Sequence, residues 1–264
     1  MITSPASSPD RHSRRGRRGA VCSRPQAGFT LIELAVVMLI LGILLGGLLV
    51  PLSTQLEQRR VSETQRSLSD AKEALLGFAM ANGRLPCPAN PQWPAVSAAY
   101  GNSGNESYNG TICTITTGVL PWATLGLPET DAWGRRFTYY VSASYADSIA
   151  SGTVTPPVGC VDTPTQASYA LCSDGSGTIQ NAGTGTTVAS TVPAVVVSHG
   201  SNGGGAYGTG GVVLVAATGA DETENADGDG IFRAGPYSGT FDDLLAWIPN
   251  SILKSRTVAA ARLP

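Results

Sequence analysis

The chain has little charge. Asp, Glu, Lys and Arg make up 14% of its 264 residues, against about a quarter in ordinary soluble domains. Histidine is scarcer still: there are two, and His199 alone lies beyond the first 28 residues. That leaves no imidazole set for a histidine-based catalytic metal site, and the lack of any CxxC pair argues against structural zinc. A nucleophile elbow is also missing, and His199 has glycine-rich flanks. A hydrolase built on Ser198 or His199 therefore has only those two residues to recommend it, and no enzyme is expected.

Glycine (32) and proline (17) are plentiful, and Ser, Thr and Asn crowd the second half. That mixture suits a loop-rich exported domain better than a cytoplasmic helical enzyme. The formal charge of −2 hides an asymmetry: residues 1–28 carry six Arg against one Asp, and the remainder carries 11 basic and 18 acidic side chains. Without its first 28 residues the chain is acidic and has no general electrostatic reason to bind nucleic acid, so none is expected as a partner.

Cys22 lies in the basic start, while Cys87, Cys113, Cys160 and Cys172 lie further on. Four cysteines in an exported region point to two disulfides with three possible connectivities. Closure of neighbours, Cys87–Cys113 and Cys160–Cys172, makes the shortest loops; four independent thiols are the alternative.

Residues 1–27 are polar and arginine-rich, without apolar periodicity, and read as disordered. An abrupt boundary follows at Gly28-Phe29-Thr30-Leu31-Ile32-Glu33. From Phe29 to Val50 the only charge is Glu33. As a helix that run spans roughly 33 Å, enough for a hydrocarbon core of about 30 Å. The basic flank would stay cytoplasmic and send the rest of the chain outward. A secretory signal has a shorter apolar region with a small-residue cut site after it; here the small residue precedes the run. Glu33 is the oddity, because a carboxylate inside a membrane helix costs on the order of 2.5–3.5 kcal/mol on insertion scales.

Together, the basic leader, Gly28, Phe29, Glu33 and the apolar run resemble the processing site of type IV pilins and type II secretion pseudopilins. The resemblance implies cleavage between Gly28 and Phe29 and methylation of the new amine on Phe29 by a prepilin peptidase/methyltransferase. It also implies pairing of Glu33 with the N-terminal amine of the next subunit. A leader of 28 residues is longer than those common in the family. Asp131-Ala132-Trp133-Gly134 resembles the D-x-W-G segment of major pseudopilins, and Ser198-His199-Gly200-Ser201-Asn202-Gly203 resembles their S-x-G-x-(D/N)-G loop.

Beyond Pro51, Val61, Thr64, Leu68, Ala71, Leu75 and Phe78 recur at spacings of three and four, the signature of an amphipathic helix. Asn82-Gly83 before Pro86 is a stop signal. Gly42-x-x-x-Gly46 offers a small-residue patch for helix packing, or simply the glycine content usual in membrane helices. From Pro86 on, strands are expected at Arg136–Val141, Val192–Ser198 and Gly211–Thr218, in a sheet packed on the helix. Trp133 is expected in the core. Gly203–Gly208 fits GxGxxG, but a strand rather than a helix is expected next, so it reads as a hairpin turn and not a dinucleotide site. Thr240-Phe241-Asp242-Asp243 looks like a helix start.

The acidic stretch 221–230 could gather carboxylate and amide oxygens of Asp221, Glu222, Asn225, Asp227 and Asp229 around calcium. Asn225-x-Asp227-x-Asp229-Gly230 copies the opening of an EF-hand loop, yet Pro236 stands where its closing glutamate belongs. The expected reading is a solvated acidic turn with no cofactor; calcium is the alternative, which the resemblance to major pseudopilins, carriers of a C-terminal calcium site, supports.

The expected fold is α+β: a long N-terminal helix, transmembrane then amphipathic, packed on a small antiparallel β-sheet head. Expected boundaries are a leader at 1–28, a membrane or filament-core helix at 29–50, its amphipathic continuation at 51–83, and the head at 84–264. The resemblance implies a single-pass protein of the bacterial inner membrane, cytoplasmic at its N-terminus and periplasmic in its head, that later enters a filament. Implied partners are the lipid bilayer, the inner-membrane assembly platform and other pilin or pseudopilin subunits. The alternative is a minor tip pilin serving adhesion or DNA uptake.

Overall fold

The computed structural model describes residues 28–94, 103–147 and 166–263, with the side chains of 45–52 aside. The leader reading and Cys160 fall outside these residues. Helix α1 runs over Leu31–Asn82, and the chain divides into two compact units between Leu52 and Ser53.

In the first unit, the large apolar side chains from Phe29 to Leu44 are all exposed, from 46% at Val36 to 89% at Leu31. Among the described residues no helix is long and apolar enough to cross a membrane. The apolar run whose side chains are described ends at Leu44, short of the roughly 20 residues a crossing needs.

In the second unit, α1 buries Thr64, Leu68, Ala71 and Leu75, as its spacing predicts, together with Leu76 and Ala79. Val61 is partly buried at its edge, and Phe78 turns aside to lie under the Arg84 guanidinium. Gly83 ends the helix at φ 70°, where a Cβ would stand 2.0 Å from the Gln166 carbonyl oxygen, so only glycine fits the turn.

The stripe packs on a four-stranded antiparallel sheet of order β1 (Thr117–Val119), β2 (Thr138–Val141), β5 (Ala194–Ser198), β7 (Leu244–Ile248). Period-2 alternation sorts its side chains. Tyr139, Val141, Ala194, Val196, Leu244 and Ile248 join the helix core, whereas Tyr140, Val195, Val197, Leu245 and Trp247 face the opposite way. That second face is covered by another sheet, of order β4 (Thr187–Val192), β3 (Gly177–Asn181), β6 (Ile231–Ala234). Its β3–β6 pair is parallel, so the head is not purely antiparallel. Ile179, Val192 and Phe232 are its buried contribution.

Short helices α2 (Trp122–Leu125) and α3 (Ala143–Ala146) flank β2. Helix α4 (Ala220–Asp227) precedes β6 and α5 (Asn250–Ala259) follows β7. Three expectations need correction here. Gly211–Thr218 forms no strand; isolated bridges Gly204–Val215 and Tyr207–Val213 take its place, because β-branched residues favour a strand only where a partner half-buries them. Thr240–Asp243 starts no helix: Leu244–Ile248 is a strand, and the helix comes only after it, with Pro249 at the N-cap of α5. Trp133 is only partly buried, packed against the core rather than inside it.

Cys87 and Cys113 form a disulfide with Cα atoms 5.3 Å apart, closing a separation of 26 residues. Cys172 is also disulfide-bonded. Beside the first bridge, Arg84 pairs doubly with Glu106 at 2.8 Å and covers the Tyr108 ring, while Glu106 also accepts from the Cys87 amide. By loop-closure entropy the Cys87–Cys113 bridge is worth about 3 kcal/mol. A Cys87→Ala/Cys113→Ala double variant should lose about that much in urea denaturation without losing the fold.

Candidate functional site

Two places in the chain carry chemistry that the fold alone does not require. The first is the start of α1. Gly28 has no atom within 4 Å of where a Cβ would lie, so nothing in the folded chain demands glycine there. Phe29 is 82% exposed.

Thr30 and Glu33 bond reciprocally: the Thr30 amide and hydroxyl donate to Glu33 Oε2, and the Glu33 amide donates to Thr30 Oγ1, each at 3.3 Å. This is a capping box, in which side chains satisfy the orphan amides of a first turn. The T-x-x-E spacing was visible in the sequence and is a signal that reading Glu33 as a membrane oddity passes over. These exposed bonds are long, so the cap holds Glu33 weakly and leaves its charge available.

The second place lies in the head. The predicted ligands Asp221, Glu222, Asn225, Asp227 and Asp229 are not brought together as a loop. The first four lie on α4, which Gly228 ends at φ 77°. Helical spacing sorts them by face. Asp221 and Glu224 turn to Arg233, at 3.7 and 3.5 Å, and Asp221 also accepts from the Gly183 amide. Asp227 and Asp229 make local turn bonds to the amides of Asp229 and Ile231. Glu222 and Asn225, three apart, point inward and are buried.

There they meet residues that sequence reasoning assigned elsewhere. Ligand atoms of Glu222, Asp242 and Asp243 lie within 4.8 Å of one another, and among the described residues no other group of three acidic or cysteine/histidine ligands does so. All three are buried, at 4%, 5% and 1% exposure. Each carboxylate spends one oxygen on the protein: Asn202 donates to Glu222 Oε1, Ser201 and the Asn202 amide donate to Asp242 Oδ2, and Asn225 donates to Asp243 Oδ2. Asp242 Oδ1 and Asp243 Oδ1 are buried with no partner. Unit charges at such separations repel by about 3–4 kcal/mol per pair at an effective dielectric of about 20. Burial pushes the Asp243 carboxyl up to about 8, and neighbouring Glu222 and Asp242 add to the rise against the Asn225 hydrogen bond.

His199 borders the cluster, with Nδ1 3.8 Å from Asp243 Oδ1. Its Nε2 shares a 2.8 Å hydrogen bond with Thr138 Oγ1, whereas Nδ1 has no hydrogen-bond partner. Burial lowers its pKa to about 4, against the opposing pull of Asp242 and with a smaller push from Arg135. The imidazole is therefore neutral and supplies no counter-charge. Ser198 gives its hydroxyl to Asp131 Oδ2 at 2.7 Å, so Ser198 and His199 do not form a nucleophile–base pair.

The loop around Asp131 has its own logic. Asp131 Oδ1 accepts from the Trp133 and Arg135 amides, which closes the turn and ties it to β5 through Ser198. Arg135 reaches the Gly200 and Ser201 carbonyls. The two segments singled out at 131–134 and 198–203 are thus stitched together, and they seat the loop that holds Asp242.

The family described as prokaryotic N-terminal methylation motif matches the chain over residues 23–49. No curated protein and no solved structure matches it.

Proposed function

We propose that this chain, which carries the N-terminal methylation motif that is the hallmark of type IV pilins and pseudopilins, is a structural subunit of a pilus or pseudopilus-like filament. The motif at 23–49 carries the reading. On it, the prepilin peptidase cuts after Gly28 and methylates the amine of Phe29. The helix from Phe29 holds the subunit in the inner membrane until the assembly platform draws it into the filament, and the head faces the periplasm.

The exposed apolar side chains of 29–44 support this: a surface of that kind on one chain needs lipid or neighbouring helices to cover it. Glu33 then gains a partner in the amine of the next subunit, so two groups that are each costly to bury compensate only on assembly. Cys160–Cys172 is taken as the second disulfide of the head.

The absence of any contact at Gly28 makes a sharp test. Gly28→Val should leave the head's stability unchanged and yet block processing, because the requirement for a small residue lies in the peptidase. Mass spectrometry of the N-terminus in a peptidase-proficient host should give N-methylated Phe29 for the wild type and an intact leader for the variant. An intact leader on the wild type would overturn the reading.

A minor subunit at the filament tip is the second reading. It rests on Val212, Val213, Leu214 and Val215, which are 47–61% exposed in the head. Counting this chain in sheared filaments separates the two: abundance along the fibre fits the structural role, and trace amounts at tips fit recognition.

A further inference from the structure

We propose that the free edge of β7 docks an extended, acidic peptide segment of a partner protein, which joins the first sheet as an antiparallel fifth strand. The site lies wholly in the head and stands apart from how the chain is processed.

Strand β7 is the last in the order β1-β2-β5-β7. The other end of that sheet is closed, since Val119 of β1 exchanges both backbone bonds with Ala89, at 2.8 and 3.0 Å. Bonding directions along β7 follow from the alternation of antiparallel pairs. The Ser142 amide donates to the Pro193 carbonyl, so two and four residues on, Val195 and Val197 also aim their main chain at β2. Ala194, Val196 and Ser198 then aim theirs at Ile248, Ala246 and Leu244 of β7. The amides and carbonyls of Leu245 and Trp247 are left pointing outward, and among the described residues they have no partner there. Two donors and two acceptors at strand spacing match a further strand. Leu244–Ile248 holds no proline or charge, and its register with β5 has no bulge, so the usual guards of an edge are missing from the strand itself.

The flanking layers leave room for an added strand. A groove of about 600 Å³ runs beside β7, between Gln65, Leu68, Ser69 and Lys72 of α1 and the Ala234–Gly235 end of β6. Side chains of the added strand would alternate between these walls. Those opposite Leu245 and Trp247 would join them and Ala234 on the second-sheet side, where apolar groups belong. Those between would face α1 and Lys72.

Charge fixes the rest of the partner's chemistry. Lys72 is half-buried and forms no ion pair among the described residues, while its neighbour Glu73 faces Arg256 at 3.9 Å. Asp243 also lines the groove, but it is 1% exposed and accepts from Asn225 at 2.7 Å. Lys72 therefore sets the charge of the open groove and is complementary to a carboxylate. Antiparallel addition continues the pairing of this sheet and is the stronger mode per residue.

The test uses the full-length chain in nonionic detergent and a fluorescein-labelled Glu-Val-Glu-Val-Glu amide, read by fluorescence anisotropy. Saturable binding is expected. The same peptide N-methylated at both valines keeps every side chain but loses the two donors facing β7, and it should bind at least about tenfold more weakly. Lys72→Glu should weaken the glutamate peptide about fivefold and make a Lys-Val-Lys-Val-Lys amide the tighter ligand. Arg66→Glu, at an exposed position outside the groove, should leave the wild-type preference in place. No saturable binding, equal binding of the N-methylated peptide, or an unchanged preference in Lys72→Glu would each overturn the proposal. Dimerisation of the chain that excludes the peptide would also overturn it, assigning the edge to a second copy.

Discussion

Replacing Glu33 with glutamine is expected to abolish incorporation of this chain into filaments while leaving its helix start intact. Glu33 has two candidate employments. Within the chain it closes a capping box with Thr30, a role that glutamine fills as well as glutamate. Between chains it would meet the N-terminal amine of a neighbour in a water-poor core. Glutamine keeps the shape and the hydrogen bonds but leaves the ammonium unpaired, and breaking a buried ion pair costs about 3–5 kcal/mol. At 1.4 kcal/mol per decade, that is roughly two to three and a half orders of magnitude at each subunit junction. Thr30→Ala is the complementary control: it removes the cap at a cost of about 0.5–2 kcal/mol and should leave filaments assembling. Quantifying both variants in sheared filaments, against equal amounts in the membrane, checks the claim. Normal incorporation of Glu33→Gln would reduce Glu33 to a cap.

The features that could be read from the sequence share one property: their signal is local. The stripe through Leu68, Ala71 and Leu75 is a helix repeat, and the buried run of β5 follows from consecutive valines on a strand covered on both faces. The Cys87–Cys113 bridge is the short-loop choice, and Gly83 occupies the left-handed turn that its place after Asn82 implies. What escaped notice depends on partners far along the chain. Strands β3 and β4 draw on Thr, Gly and Asn, β6 is only four residues long, and all three look like loop until the outer face of the first sheet demands a cover. The opposite error occurred at Val212–Val215, where strong β propensity found no neighbouring strand. The acidic stretch misled in a third way. Its alternating carboxylates look like one loop, but helical geometry splits them between Arg233 and the interior, and Glu222 finds Asp242 and Asp243 twenty residues on.

Arg136 illustrates the same limit at a single residue, and its replacement should be the most damaging single change in the head. By position it reads as the polar first residue of a strand. In the fold it is fully buried, with Nε and a terminal nitrogen on Glu129 at 2.9 Å and further bonds to the Pro91 and Thr209 carbonyls at 2.9 and 3.1 Å. Its guanidinium also lies 4.7 Å from the centre of the Trp122 ring. One planar fork therefore joins three loops with no strand pairing between them. Arg136→Ala would orphan two carbonyls, unpair Glu129 and leave a void, a loss of about 3–5 kcal/mol. Arg136→Lys keeps the charge but cannot reach all three directions or stack flat on the indole, so it should recover only part of that loss. Urea denaturation followed by tryptophan fluorescence measures both, since Trp122 reports directly on the stacked cation. The expected order of midpoints is wild type, lysine, alanine. A lysine variant as stable as the wild type would show that the charge matters here and the fork does not.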